Sequence, residues 1–371
     1  MTNATALAGG GRVEDEGMIL DRCAIPLVGA PLAGGPSTPG LAAAVSNVGG
    51  LGFLAAGYLT AVELADRCQR TGQLTERPFG VNLFVPGPAG DDARVREFAA
   101  EIEGDAAEVG ARLGEPRHDD DDWDAKLEYL FAAPAAVVSF TFGLPDADLI
   151  ARLRDLGTEV WVTVTSPDEA ALAVQAGADL LVAQGYEAGG HRGGTSDAPE
   201  EAIGLLALLQ LITARTGTPV VATGGIASGR AIAAALCLGA RAVALGTALL
   251  DSAEAGTTAV HRSALREHAP TRLTRAFSGR TARGIENGFL SAHSDSAPAA
   301  YPEVHHLTSA LRKAARQAGL ADYVNLWAGQ AYPLTAAGPP AQPAGDLVRD
   351  LWAQAQAALA ETAGRYARPD R

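Results

Sequence analysis

The sequence predicts an α/β fold, a (β/α)8 TIM barrel with a small helical lid or subdomain after the eighth strand. Short apolar runs rich in branched residues alternate with Ala-rich amphipathic stretches, a pattern typical of repeated βα units around a parallel sheet. Glycine-rich turns follow many different strands, whereas a doubly wound sheet would concentrate them at one switch point. The spread of these turns therefore favours a closed barrel over an open sheet.

Eight apolar runs have the length and composition of buried strands. They cover residues 25–30, 52–55, 79–84, 136–140, 160–164, 180–183, 220–222 and 242–245. Helices are predicted between them, for example over residues 38–47, 61–71, 167–176, 203–216 and 228–238. Ser166 and Ser228 are expected to cap helix N-termini. Gly177 and Gly239 are expected to end helices before the next strand.

Two segments interrupt the βα alternation and define the predicted domains. The acidic stretch 87–128 is too long for a simple crossover and is expected to add helices. Its aspartate run, 119–122, is interpreted as a solvated face, with a metal site as the alternative. After residue 250 the pattern becomes helical and irregular. We therefore expect a cofactor-binding barrel over 18–250, a helical lid or substrate subdomain over 251–335, and a helical tail over 336–371 that packs on the barrel.

The composition narrows the classes of partner. A net charge of −14 argues against nucleic acid, which is bound by clustered Lys and Arg. No stretch approaches the roughly 20 apolar residues that cross a bilayer, and residues 1–17 lack a basic segment leading into an apolar run. The three cysteines are far apart and form no CxxC pair, which fits a reducing compartment. We expect a cytoplasmic protein that binds neither nucleic acid nor membrane, and the sequence leaves a homodimer open.

Small or polar residues follow the first and third predicted strands, at the end of the barrel where active sites are built. Ala30, Pro31 and Leu32 begin a turn of low side-chain bulk that lets the backbone approach a flat ring, although a plain Gly/Pro turn explains it equally well. Asn82 offers a donor and an acceptor at the barrel mouth, but taken alone a hydrogen-bonded loop asparagine is the better explanation.

The loop after the sixth strand is the most informative segment. In residues 184–193 His191 has glycines close to it on both sides, which disfavours a core histidine. A histidine can exchange a proton near neutral pH, so His191 is the candidate general base or electrostatic partner of an anion.

Glycine turns follow the seventh and eighth strands, where such barrels usually bind phosphate through backbone N–H groups. Gly224 and Gly225 form the first turn, and Leu245, Gly246 and Thr247 form the second. Together they predict a phosphorylated cofactor. A dinucleotide site is not indicated, because no predicted strand is followed by a GxGxxG motif.

The chain resembles the nitronate monooxygenase family, formerly called 2-nitropropane dioxygenases, and within it the class typified by propionate 3-nitronate oxidation. The matching stretches are 30–39, 79–84, 184–193, 222–226, 245–247, 278–284 and 326–330. The resemblance implies an FMN-containing barrel, without metal or nicotinamide, that converts alkyl nitronates and O2 to a carbonyl compound plus nitrite or nitrate. It makes His191 the catalytic residue. The residues it implies for FMN binding are Ala30, Pro31, Leu32, Asn82, Gln184, Gly189, Gly190, Gly224, Gly225, Ala244, Leu245, Gly246 and Thr247.

The chain departs from the family pattern in two places. Leu32 stands where the family commonly has Met, and residues 304–306 stand where members often carry an Asn after the pair Tyr301-Pro302. We expect the second departure to affect the substrate pocket. Arg280 and Arg283 are expected to form structural salt bridges, with contact to the lid or to an anionic substrate as the alternative.

Two other functions remain open at this point. An FMN-dependent enoyl-acyl-carrier-protein reductase using NAD(P)H carries a GGH turn and similar phosphate loops. A barrel that binds a phosphorylated ligand without turnover is the rival from another class.

Overall fold

Eight parallel strands form the barrel of the computed structural model, which describes residues 17–197, 202–337 and 340–367. The strands are β1 (Leu27–Gly29), β2 (Gly52–Ala55), β3 (Phe79–Phe84), β4 (Val137–Thr141), β5 (Glu159–Val164), β6 (Leu180–Gln184), β8 (Val220–Thr223) and β9 (Ala242–Leu245). They follow the order β1-β9-β8-β6-β5-β4-β3-β2. Backbone hydrogen bonds from Gly29 N to Leu51 O (2.9 Å) and from Leu51 N to Leu27 O (3.0 Å) join the two ends. The predicted TIM barrel is confirmed.

The strands are apolar on both faces because each lies between the barrel interior and the outer helices. Inside, Trp161 is fully buried and packs against Phe53 with ring centroids 5.5 Å apart. A short 3-10 helix, Ile19–Arg22, adds Ile19 and Leu20 to this same cluster. Packed side chains therefore fill this end of the barrel, and a site can form only at the other end, where the carboxyl ends of the strands lie.

The outer helices follow the predicted alternation. They are α1 (Pro39–Asn47), α2 (Ala61–Leu74), α6 (Ala147–Asp155), α7 (Pro167–Ala176), α8 (Leu205–Thr213) and α9 (Gly229–Cys237). The predicted caps are present, since Ser166 and Ser228 accept hydrogen bonds from backbone N–H groups three residues on, at 3.2 and 3.3 Å. Gly177 and Gly239 have φ of 98° and 92°, the left-handed conformation that glycine adopts most easily after a helix.

The acidic stretch adds helices, as expected: α3 (Asp92–Glu101), α4 (Glu103–Glu108) and α5 (Trp123–Ala132). The interpretation of its aspartate run as a solvated face holds for Asp120 and Asp122, which are exposed, and is wrong for Asp121, whose side chain is 20% exposed. Asp121 accepts a hydrogen bond from Tyr58 N (2.8 Å) and forms an ion pair with the buried Lys126 (2.7 Å). Asp122 accepts one from Ala61 N (2.6 Å). The run therefore fastens the loop after β2, because its carboxylates satisfy backbone donors there.

The segment after β9 contains strands as well as helices. Its helices are α10 (Ala259–Ala264), α11 (Gly288–His293) and α12 (Glu303–Ala318), and its strands are β10 (Thr271–Thr274) and β11 (Ala282–Ile285). β11 pairs antiparallel with β10 and with β7 (Gly190–His191), the short strand that carries the candidate catalytic histidine. Buried side chains of α3 and α4 share a cluster with α11 and α12, so the two insertions form one body beside the barrel mouth.

The tail forms α13 (Ala344–Tyr366), which packs on α9 and α1. A Cβ at Gly229 of α9 would lie 2.3 Å from the Gln354 side chain, so the glycine permits this close approach. Most of the N-terminal segment and the last four residues of the tail lie outside the described residues. Within the described ranges, no helix combines the length and apolarity needed to cross a bilayer. The domain boundaries stay a prediction.

Candidate active site

A cavity of about 370 Å³ opens at the carboxyl ends of the strands, within the usual size range for small-molecule sites. The predicted site residues that line it are Ala30, Pro31, Leu32, Asn82, Gln184, Gly189, Gly190, His191, Gly224, Gly225, Ala244, Gly246 and Thr247. Leu245 does not line it. Its side chain is 1% exposed and packs in the layer between the strands and the helices, because successive residues of a strand point to opposite faces.

His191 is held in place by its backbone. Gln184, at the end of β6, donates from Nε2 to the carbonyl of His191 (3.0 Å) and accepts from Gly193 N (2.8 Å). On the other side, β7 pairs Gly190 and His191 with Arg283 and Ala282 of β11. The side chain of Gln184 therefore shapes the turn that carries His191 as well as lining the cavity.

The imidazole of His191 has one fixed polar contact. Its Nε2 lies 2.8 Å from Oγ of Ser278, and the Ser278 hydroxyl donates to the carbonyl of Arg280 at 3.2 Å. The serine oxygen then accepts the Nε2 proton, which leaves Nδ1 unprotonated. No described residue hydrogen-bonds to Nδ1. The ring edges contact Phe142 and Trp327, with centroids at 5.7 and 5.4 Å.

His191 is uncharged at neutral pH. Burial, together with the positive charges of Arg280 and Arg312, lowers its pKa to about 3. The imidazole can therefore accept a proton, and it becomes a stronger base when an anion in the cavity offsets the two guanidinium charges.

The turn after β8 forms a cradle without side chains. Gly224 and Gly225 have φ of 113° and 67°, and a Cβ on Gly225 would lie 2.8 Å from Cβ of Glu187. Both positions therefore require glycine and present bare backbone to the cavity. Across the cradle, Thr247 accepts a hydrogen bond from Gly329 N at 3.0 Å. The turn after β9 therefore contacts the stretch 326–330.

The wall of the cavity at β3, across the barrel from the glycine turn after β8, suits a planar ring. Asn82 donates from Nδ2 to Oγ of Ser139 (2.9 Å) and to Oγ1 of Thr141 (2.9 Å). No described residue donates to its Oδ1, which is left as an acceptor. With the low bulk of Ala30 and Pro31 and the glycine cradle, these residues fit a cofactor that has a flat ring with N–H donors and a phosphate.

Arg280 and Arg283 both have structural contacts, but the expected salt bridges are wrong for the described residues. Arg280 donates to the carbonyls of Arg192 and Gly194, and its guanidinium lies 4.3 Å from the Phe142 ring centroid. Arg283 donates to the Tyr186 carbonyl from Nε (3.2 Å) and Nη2 (3.0 Å). Each arginine thus fixes the loop that carries His191 by binding its backbone oxygens.

Only one residue of the divergent segment 304–306 lines the cavity. His305 stacks on Tyr58 with ring centroids 4.0 Å apart and planes 3° from parallel. Val304 is buried in the neighbouring cluster, and His306 points to Asp119, with 2.7 Å between Nε2 and Oδ2.

Several lining residues were not predicted from the sequence. They include Tyr58, Phe142, His261, Ser278, Arg312, Arg316 and Trp327. Tyr58 and Phe142 follow strands β2 and β4, so reading every strand end would have found them. Arg312 had a weaker signal, since α12 has no acidic residue after Glu303 to pair with its basic residues. Within the described part of the chain, no three His, Cys, Asp or Glu side chains are grouped so that they could hold a metal ion.

The comparisons with known proteins agree with this geometry. The family model described as nitronate monooxygenase matches residues 19–354. The chain is 43% identical over 338 residues to a nitronate monooxygenase from Pseudomonas aeruginosa, covering 88% of this chain and 96% of that protein.

Solved structures show the same likeness. A nitroalkane oxidase from Streptomyces ansochromogenes is 49% identical, with a TM-score of 0.89 and coverage of 93% of this chain and 99% of that one. FabK from Thermotoga maritima is more distant, at 25% identity and a TM-score of 0.73, with coverage of 94% and 98%. Because the family model and the curated relative both span most of its length, the chain belongs to the nitronate monooxygenase family.

Proposed function

We propose that the protein is an FMN-dependent enzyme that oxidises alkyl nitronates of the propionate 3-nitronate type with O2, giving a carbonyl compound plus nitrite or nitrate. The observation that carries the proposal is that a neutral histidine, His191, and the glycine cradle at Gly224 and Gly225 line one cavity. The names of the relatives support the reaction class. The atoms balance in two ways: one nitronate and one O2 give a carbonyl and nitrate, or two nitronates and one O2 give two carbonyls and two nitrites.

In this proposal the barrel, 18–250, binds FMN and the segment 251–335 closes over the substrate. The turns at Gly224–Gly225 and Gly246–Thr247 would hold the phosphate through backbone N–H groups, and Asn82 would accept from the ring. Bound FMN would supply a redox centre that takes electrons from the nitronate and passes them to O2.

His191 would act according to the substrate. With a neutral nitroalkane, Nδ1 takes the α-proton, since Ser278 holds the other ring proton on Nε2. With a nitronate that is already deprotonated, the imidazole would orient the anion in the cavity. The apolar edges of Phe142 and Trp327 exclude water from this position, which strengthens polar contacts there.

The test is O2 uptake and nitrite release by the purified protein, loaded with FMN, on propionate 3-nitronate. Turnover with nitrite and a carbonyl product supports the proposal, and FMN binding without turnover of any alkyl nitronate overturns it.

Two further measurements address the rivals. Bleaching of the flavin by NADH or NADPH without O2 would favour the enoyl-acyl-carrier-protein reductase. A protein that retains no flavin after purification and reconstitution would favour a non-catalytic binding barrel. The cytoplasmic location and the homodimer stay predictions, which cell fractionation and light scattering would check.

A further inference from the structure

The wall of the cavity formed by α12 contains a buried arginine whose hydrogen-bond partners within the described part of the chain are all neutral. Arg312 is 6% exposed and lines the cavity. Its Nε donates to Oγ1 of Thr308 (3.0 Å), and its Nη2 donates to the carbonyl of His305 (2.8 Å) and lies 3.2 Å from Nδ1 of His305. Among the described residues no carboxylate pairs with Arg312, and none hydrogen-bonds to its Nη1.

This situation is unusual because a buried charge is costly unless it is paired. Burial and the nearby charge of Arg316 lower the pKa of Arg312 to about 10, so the guanidinium still carries its proton at neutral pH. Other arginines around the site have an acidic neighbour: Arg280 lies near Asp197 and Glu169, and Arg262 pairs with Asp251 at 3.0 Å.

A second cation extends the same wall. Arg316 lies one helical turn after Arg312, lines the cavity and donates from Nη1 to Oδ1 of Asn325 at 3.3 Å. No carboxylate contributes to its lowered pKa, which is caused by burial. Two adjacent guanidinium groups, neither of which has an acidic partner among the described residues, make this side of the cavity attractive to an anion.

The anion that this wall would bind differs from the cofactor phosphate. Arg312 contacts His305, which stacks on Tyr58 after β2, and its charge acts on His191. None of its hydrogen bonds within the described ranges reaches the glycine turns after β8 and β9. Arg312 is therefore placed to bind a second group of a substrate while the reacting end of that substrate lies at His191.

We propose that Arg312 binds a carboxylate on the substrate and so makes the enzyme select nitronates that carry a second negative group. This inference rests on the proposed function. The guanidinium presents planar N–H donors that match a carboxylate. Because Arg312 is buried, little water competes for the charge-assisted hydrogen bond, which strengthens it.

The experiment compares two nitronates with the FMN-loaded protein and its Arg312→Met variant. Propionate 3-nitronate carries the carboxylate, and the nitronate of 1-nitrobutane has a similar chain without it. We expect Arg312→Met to raise KM for propionate 3-nitronate by about 10- to 100-fold, while kcat/KM for the butane nitronate changes less than about threefold. Lys313→Met is the matched control, because Lys313 is the exposed neighbour on the same helix, and it should change neither value.

Loss of activity on both nitronates to the same extent would show a structural role for Arg312 and overturn the proposal. An unchanged KM for propionate 3-nitronate would overturn it as well. The FMN content of each variant is measured too, since selective loss of FMN would assign the guanidinium to the cofactor. If Arg312→Met does not fold, Arg312→Lys is compared in its place, with a smaller rise in KM expected for propionate 3-nitronate alone.

Binding without turnover separates this inference from the proposed function. Calorimetric titration of the FMN-loaded protein with 3-nitropropionate, carried out without O2 so that no catalytic turnover occurs, should give a dissociation constant that Arg312→Met weakens at least about tenfold, with no matching change for 1-nitrobutane. If the wild-type protein oxidises neither nitronate but shows this difference in binding, the proposed function fails and the carboxylate site stands. If both ligands bind the variant and the wild type alike, the carboxylate site fails.

Discussion

The Nε2 atom of His191 lies 2.8 Å from Oγ of Ser278, and this contact joins the short strand after β6 to the turn before β11. The two residues are 87 positions apart in the chain. Since the Ser278 hydroxyl also donates to the carbonyl of Arg280, it selects the tautomer in which Nδ1 of the imidazole is free to accept a proton. The orientation and protonation of the candidate base are thus controlled by a residue outside the barrel.

Replacing Ser278 tests this control. In Ser278→Ala the imidazole loses its fixed partner, so both tautomers become populated and fewer molecules present Nδ1 to the substrate. We expect kcat/KM for a neutral nitroalkane to fall about tenfold, with a smaller change for the corresponding nitronate. Ser278→Thr keeps the hydroxyl and serves as the control. Steady-state kinetics on both substrates check the result, and equal changes in both variants would show that the hydroxyl is not responsible.

Removing the imidazole should separate proton abstraction from electron transfer. In His191→Asn the side chain no longer accepts the α-proton, so nitroalkane oxidation should fall by about 100-fold or more. Oxidation of the preformed nitronate needs no base and should fall less than about tenfold, the part due to orientation. Oxygen uptake with ethylnitronate and nitroethane measures the two rates. Equal losses would remove the general-base role.

The glycine cradle gives a prediction about the cofactor. Gly225 has φ of 67°, and an added Cβ would lie 2.8 Å from Cβ of Glu187, so Gly225→Ala must displace the turn. We expect the FMN dissociation constant to rise at least about tenfold, measured by flavin fluorescence. Gly217→Ala is the matched control, because a Cβ there meets nothing within 4 Å. Unchanged FMN affinity in Gly225→Ala would place the phosphate elsewhere.

The barrel was predictable because its strands are local features. Each apolar run is bounded by its own turn residues, so the ends of β2 (52–55), β3 (79–84) and β9 (242–245) are those the sequence predicted, and the ends of the other five differ by at most two residues. The turns at Gly224 and Gly246 were predictable for the same reason. Strand β7 was not, because Gly190 and His191 become a strand only by pairing with β11, far along the chain.

The rest of the site depends on tertiary contacts that a linear pattern does not contain. Tyr58 and Phe142 follow strands β2 and β4 and could have been candidates for that reason, but which residues after each strand line the cavity is decided by closure of the barrel. The partners of Asp121 could not be read from an aspartate run, since Tyr58 N and the buried end of Lys126 are brought to it by folding. Arg312 was missed because α12 reads as an amphipathic helix, and the burial of its basic side becomes evident only in the folded chain.

The ion pair between Asp121 and Lys126 should matter for stability. Lys126 is 1% exposed, so Asp121→Ala leaves a buried charge without its partner and removes the acceptor of Tyr58 N. We expect the free energy of unfolding to fall by about 3 kcal/mol. Asp124→Ala, at an exposed position of α5, is the control and should cost less than about 0.5 kcal/mol. Adding Lys126→Met to Asp121→Ala should restore part of the loss in urea denaturation, and no recovery would contradict the ion-pair explanation.

The buried histidines predict that the protein becomes less stable in mild acid. Burial lowers the pKa of His191 to about 3 and of His261 to about 4, and the pKa of His305 lies well below its usual value. Below about pH 6.5 each of them takes up a proton only after unfolding, so the unfolded state binds more protons and the free energy of unfolding falls as the pH falls. Asp121 opposes this trend, because burial raises its pKa to about 6 and the native state gains a proton there. Burial also raises the pKa of Glu159, but the three histidines outweigh these two carboxyls between pH 6.5 and 4.

His261 isolates one part of this effect, because its Nε2 has a single hydrogen-bond partner among the described residues, the Trp327 carbonyl at 3.1 Å, and glutamine can replace that donor. At pH 5 the wild-type protein should have lost about 2 kcal/mol from this histidine relative to pH 7, a loss that His261→Gln should not show. His268→Asn, at an exposed position, is the control and should keep the wild-type slope. Urea denaturation at pH 7, 6 and 5 measures the three slopes. If His261→Gln loses stability with pH as steeply as the wild type, the native protein already binds the proton and the imidazole is not held neutral.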